Sequence, residues 1–172
     1  MNKVLLVIDM KKDFIDKNGN LYIGETAKEV TLNIADRIAE YRLTNQPIIF
    51  IGDEHEQDDP EFKRFLSHCI RGSWGAEFVD IVAPKKGEVI IPKKGHSGFY
   101  NTRLDLILTG LKDSVVEACG VCTSICVLLT VADLVIRDYV TVVRKNCVAD
   151  FDYEAHNFAL KYMKNILGAE VI

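Results

Sequence analysis

Short, unbroken apolar runs alternate along this chain with stretches of helical periodicity, and that alternation leaves few folds open. A strand buried on both faces reads as a continuous Val/Ile/Leu run, the mark of a parallel sheet covered by helices on either side. Residues 3–9 form such a run, which ends in the carboxylate of Asp9. Further strands are predicted at 47–52, 88–92, 114–119, 140–144 and 170–172, and helices at 27–43, 102–111, 123–138 and 153–166. The first helix opens on a capping-box pattern, Thr26 followed by Glu29, and aligns Val30, Ile34, Ile38 and Tyr41 on one face. Asp152 is placed to cap the last helix and Gly168 to close it. The fold class is α/β: a three-layer α/β/α arrangement around a mainly parallel sheet of about six strands, in a single domain over residues 1–172.

Composition narrows the function. The 172 residues carry a net charge of -4, against the basic surface that a nucleic-acid binder usually has. A small cluster of Lys85, Lys86, Lys93 and Lys94 is interrupted by Pro and Gly and has no aromatic platform. No apolar stretch reaches the roughly 18 residues of a membrane span, since Asp133 and Arg137 break the most apolar segment. The opening Met1-Asn2-Lys3 and the run behind it are too short for a signal peptide and read as a first strand. Five cysteines, an odd number, point to free thiols in a reducing compartment, with the cytoplasm as the expected location. A small-molecule partner is expected, with no nucleic acid and no membrane.

In open parallel sheets, ligands bind beyond the carboxyl ends of the strands. That rim collects Asp9 after the first strand, Asp53 and His55 after the second, Lys93 and Lys94 after the third, and residues 120–126 after the fourth. An acid, a lysine and a thiol therefore converge. Cys126 falls in the first turn of a predicted helix that Thr123 can cap, where unpaired N–H groups and the helix dipole favour a thiolate and could hold an oxyanion. On spacing alone it reads equally as a nucleophile or as a buried small hydrophobe. Cys122 and Cys126 lack Cys-x-x-Cys spacing, and Cys69, Cys119 and Cys147 read as packing thiols.

Residues 53–87 are polar and without sustained periodicity, a length of loop that is usually functional. Asp53 and His55 are two apart and can face one way in extended chain, while Glu61 and His68, seven apart, would share a helix face. Together they offer oxygen and nitrogen donors for zinc, iron or manganese. Read from the residues alone, a solvated acidic loop is the default.

The segment Gly120-Val121-Cys122-Thr123-Ser124-Ile125-Cys126-Val127 resembles the signature Gly-Val-x-Thr-x-x-Cys-Val of the isochorismatase-like cysteine hydrolases, which include the nicotinamidases. Val7-Ile8-Asp9-Met10 with Asp13-Phe14 is similar to the family's opening motif, with Lys11 in place of its glutamine. Lys93 and Ser97-Gly98-Phe99 resemble its Lys-x-x-x-Ser-Ala-Phe stretch, with Lys94 as the alternative lysine. The likeness spans nearly the whole chain.

The resemblance implies an isochorismatase-like hydrolase fold with Asp9, Lys93 and Cys126 as the catalytic set. It implies an oxyanion hole from the backbone N–H groups of Cys122 and Cys126, behind a cis peptide between Val121 and Cys122. The nicotinamidases among the family place a divalent metal, zinc or else iron or manganese, on residues matching Asp53, His55 and His68, with Glu61 as an added carboxylate. Phe14, Phe65 and Val121 are implied for the substrate pocket, with Phe65 standing where Trp is frequent and His96 where Tyr is frequent. The implied reaction is hydrolysis of nicotinamide to nicotinate and ammonia through a thioester. Alternatives are another small amide or an enol ether as substrate, or a non-catalytic metal- or ligand-binding relative. A homo-oligomer is implied as well.

Overall fold

Alternate residues of a strand point to opposite faces, and the structure, a computed structural model describing residues 2–172, puts both faces of the first apolar run to use. Within β1 (Lys3–Ile8), Val4, Leu6 and Ile8 enter one core while Leu5 and Val7 enter the other. Met1, the head of the segment read above as too short for a signal peptide, lies outside the described residues.

A single helical turn, α1 (Lys12–Ile15), follows β1, and then α2 (Thr26–Leu43) and β2 (Ile48–Asp53). The chain continues through β3 (Val89–Lys93), α3 (Leu104–Thr109), β4 (Val115–Val121) and α4 (Leu128–Ile136). It ends with β5 (Thr141–Ala149), α5 (Tyr153–Asn165) and β6 (Glu170–Val171). The strands form one six-stranded sheet in the order β3-β2-β1-β4-β5-β6, and every pairing is parallel. Helix α2 lays Val30, Ile34, Ile38 and Tyr41 on the face carrying Leu5, Val7 and Phe50. On the opposite face Leu104 and Leu108 of α3, Val131 and Leu134 of α4, and Ala159 and Met163 of α5 cover Val4, Leu6 and Ile51. Among the described residues no helix is long and apolar enough to cross a membrane.

Several local expectations are corrected. Thr26 does not cap α2: it is already helical, the chain enters through Gly24, whose carbonyl accepts from Ala27 N–H, and no side chain caps the end. The helix predicted over 123–138 is divided into a π-helical turn, Thr123–Val127, and α4. The Thr123 hydroxyl does not cap that turn, because it pairs with His156 Nδ1 on α5 at 2.9 Å. Glu61 and His68 do not share a helix, since only a short 3₁₀ turn, Pro60–Lys63, forms between β2 and His68. Asp152 caps α5 as expected, accepting from Glu154 and Ala155 N–H. Strand β5 outruns its predicted end at Arg144 because a register shift against β4 carries the ladder past exposed Lys145 and Asn146.

The strand order turns outward in both directions from β1 and β4, so the loops leaving these two neighbours diverge and open a crevice at their carboxyl ends. Gly120 keeps the two strands close. Its φ is +123°, and a Cβ there would sit 1.9 Å from the Ile8 carbonyl oxygen.

Candidate active site

Asp9 leaves β1 in the left-handed region, with φ 54°, a conformation that Asp tolerates better than most residues. Its Oδ1 accepts from Asp53 N–H at 2.7 Å, which ties the ends of β1 and β2. Asp53 and Lys93 are register partners at the ends of β2 and β3. The Lys93 ammonium consequently lies between two carboxylates, 2.8 Å from Asp9 Oδ2 and donating to Asp53 Oδ1. It also reaches Cys126 Sγ at 3.4 Å. Asp9, Asp53 and Cys126 bring donor atoms within 4.8 Å of one another, all buried. Lys94, by contrast, is half exposed and among the described residues pairs only with Glu56, at 3.4 Å.

Burial governs the charges here. It disfavours an ammonium at Lys93, but the Asp53 and Asp9 carboxylates outweigh it and hold the lysine well above its ordinary range. Burial likewise pushes Asp53 up, and the Lys93 charge overrides it to keep that carboxyl well below the usual range. Asp9 is raised, by burial and then by the neighbouring Asp53 charge. Burial also drives the Cys126 thiol well upward, with Lys93 pulling the other way. Burial thus opposes the thiolate that a helix N-terminus would favour, and a base beside the sulfur would offset it. Asp9 Oδ2 is the atom available, a buried oxygen whose contact with Lys93 is ionic and which has no hydrogen-bond donor among the described residues.

Beside this set, Asp53, His55 and His68 converge with one ligand atom each within 4.8 Å. His55 Nε2 is 3.7 Å and His68 Nε2 3.6 Å from Asp53 Oδ2, and the two rings stand 4.8 Å apart. Their outer nitrogens are engaged elsewhere: His55 Nδ1 with Asp59 Oδ2 at 3.1 Å, and His68 Nδ1 with the Leu66 carbonyl at 2.8 Å. Both Nε2 atoms thus face inward, and His55 Nε2 is buried without a hydrogen-bond partner among the described residues. An orphaned imidazole nitrogen opposite a carboxylate, with each ring fixed from behind, fits a divalent cation. Glu61 Oε1 lies farther out, 4.0 Å from His68 Nε2 and 3.8 Å from His96 Nδ1.

A narrow cavity of about 30 Å³ joins the two sets, and Phe14, Phe65, His68, Cys122, Ile125 and Cys126 are on its wall. Phe14 stacks at a tilt on His68, centroids 5.5 Å apart. Val121, expected on this wall, is fully buried in the α2-side core, because β4 runs on through it and side chains alternate faces. Cys122 and Ile125 take its place. The peptide between Val121 and Cys122 is cis.

The Isochorismatase domain family matches residues 3–172. This chain belongs to the isochorismatase family. It is similar to the nicotinamidase/pyrazinamidase PncA of Bacillus subtilis, with 32% identity, 99% of each chain covered and a TM-score of 0.93. A pyrazinamidase of Pyrococcus horikoshii, solved in complex with zinc, is similar at 28% identity over 100% of this chain and 99% of that one, TM-score 0.92. An N-carbamoylsarcosine amidase of Thermoplasma acidophilum shares 31% identity over 99% of this chain and 95% of its own, TM-score 0.88.

The isochorismatase-family site also contains residues that sequence reasoning passed over. Asp59 was one of a run of acids and nothing in its spacing set it apart, yet it orients His55. Phe62 packs edge-on against both imidazoles, centroids 5.5 and 5.6 Å away. Leu21 and Phe151 complete the cavity from segments far apart in the chain, so no local pattern could have announced them.

Proposed function

We propose that this isochorismatase-family hydrolase cleaves a small carboxamide, nicotinamide first among them, to the acid and ammonia. The observation that carries the reading is the adjacency of two buried sets. A nucleophile–acid–lysine cluster and an Asp/His/His cluster share Asp53 as their common member and open on one cavity. A site built only for acyl transfer has no use for the second set.

In this reading Asp9 Oδ2 takes the thiol proton as Cys126 Sγ attacks the amide carbon, and Lys93 stabilises the anions on either side. Backbone N–H groups of Cys122 and Cys126 receive the oxyanion. As the C–N bond breaks, Asp9 returns the proton to the departing amine and ammonia leaves. Water, deprotonated by Asp9, then adds to the thioester, and collapse restores the thiol and releases the acid. Asp53, His55 and His68 would hold a divalent metal, zinc by similarity to the Pyrococcus pyrazinamidase, which would supply a Lewis-acid anchor for a pyridine nitrogen. Phe14 and Phe65 are apolar walls for the ring.

Another small amide is the second reading, supported by likeness to the N-carbamoylsarcosine amidase and by His96 at the cavity. The test is ammonia release across a panel of amides including nicotinamide, pyrazinamide and carbamoyl amino acids. Turnover of nicotinamide above all others supports the first reading. Turnover confined to carbamoyl compounds supports the second, and silence on all of them removes both.

A further inference from the structure

Asp13 is buried at 6% exposure, lies on α1 away from the reacting atoms, and belongs to neither cluster described above. Its Oδ2 accepts from the backbone N–H of Cys69 at 2.6 Å, and its Oδ1 from Asn20 N–H at 3.1 Å. The Cys69 peptide matters because of its neighbours. Cys69 directly follows His68, and its carbonyl accepts from the backbone N–H of His55 at 2.9 Å. One residue therefore joins the backbones of both histidines, and Asp13 grips that residue. Cys69 itself is in the left-handed region, φ 45°, which a fixed partner on its N–H helps to maintain. The Asn20 amide adds a second tie by donating to the Ser67 carbonyl at 2.6 Å.

The grip is also sterically tight. Gly75 lies so near that a Cβ on it would fall 2.0 Å from Asp13 Oδ2. The next residue, Phe14, has its ring against His68, so the same short helix sets both the carboxylate clamp and the aromatic wall.

We infer that Asp13 is a positioning residue for the Asp53/His55/His68 site: its carboxylate fixes the Cys69 peptide, and through it the separation of the two imidazoles. This rests on the metal-site part of the proposed function and is independent of the substrate. Outer groups that orient metal ligands typically change affinity 10- to 100-fold when altered.

The experiment compares wild type, Asp13→Asn and Gly75→Ala, the second of which displaces the carboxylate without removing it. Each metal-free protein is titrated with Zn²⁺ in competition with a chromophoric chelator, and with Co²⁺ while its visible absorption is recorded. Thermal midpoints of the metal-free forms are taken alongside. The expected result is a 10- to 100-fold loss of Zn²⁺ affinity and an altered Co²⁺ spectrum in both variants. A merely structural role would lower the midpoint and leave the Co²⁺ spectrum of the folded fraction as in wild type, which overturns the inference. Wild-type affinity and spectrum in either variant that folds overturn it too. If wild type itself binds neither ion, the metal-site reading fails and the inference falls with it, a result distinct from equal binding by all three proteins.

Discussion

Lys93 Nζ lies 3.4 Å from Cys126 Sγ, and both residues are buried. Deprotonating the sulfur would set a thiolate beside that ammonium, provided that a base stands within reach to take the proton. Asp9, 2.8 Å from the same ammonium, is that base. Cys126→Ala should cut amide turnover by more than about 10⁴-fold with an unchanged fold, because the covalent step disappears. Cys122→Ala should only reduce it, since that residue offers its backbone. Near-normal rates in Cys126→Ala with a dead Cys122→Ala would assign the nucleophile to the wrong cysteine.

The two adjacent lysines should behave very differently. Lys93→Met leaves Asp9 and Asp53 buried and uncompensated, and unfolding by urea should show a loss of about 3–5 kcal/mol together with loss of turnover. Lys94→Met touches only an exposed pair and should stay within about 0.5 kcal/mol of wild type. Equal effects would contradict the register between β2 and β3.

Metal removal separates binding from reactivity. A chelator should abolish turnover of nicotinamide while leaving alkylation of Cys126 by a small thiol reagent intact, because the contact that Cys126 makes is with Lys93. Elemental analysis should find about one divalent metal per chain in wild type and none in the His55→Ala/His68→Ala double variant. Full activity in excess chelator would reduce the Asp/His/His set to a structural cluster.

Thiol counting tests the cavity. All five cysteines are buried, but only Cys122 and Cys126 are on its wall. Native protein should therefore react at these two or fewer, and all five should react in denaturant. Cys147 is buried and lies outside the cavity, so it should stay unlabelled in the native protein. Mass spectrometry of the labelled native protein identifies the sites.

Away from the site, Glu117 on β4 accepts from Arg37 at 2.9 and 2.7 Å, from Arg144 at 3.0 Å and from the Tyr41 hydroxyl at 3.1 Å. Glu117→Ala should cost about 3 kcal/mol by removing the buried acceptor of Arg37, which among the described residues keeps only its pair with exposed Glu40, with turnover per folded molecule unchanged. Equilibrium denaturation and an activity titration of the folded fraction measure the two separately.

What the sequence determined by itself was whatever local pattern carries. Apolar runs and helical periodicity placed every strand and the main helices, because burial on both faces or on one stripe leaves a periodic trace. The residues at strand ends, Asp9, Asp53, Lys93 and the segment through Cys126, were legible as one rim, since a parallel sheet aligns its carboxyl ends. The tertiary structure decided everything that depends on approach between distant segments. It brought Lys93 rather than Lys94 inward, because register with β2 sets which of two neighbours points to the core. It turned Val121 into the core and Cys122 to the cavity, and it set Thr123 against His156 instead of a helix end. It brought Glu61 to within 4.0 Å of His68 without a shared helix, set Asp59 against the His55 ring, and gave Asp13 its hold on the Cys69 N–H. Such contacts join residues whose spacing along the chain has no period, so only the packed chain determines them.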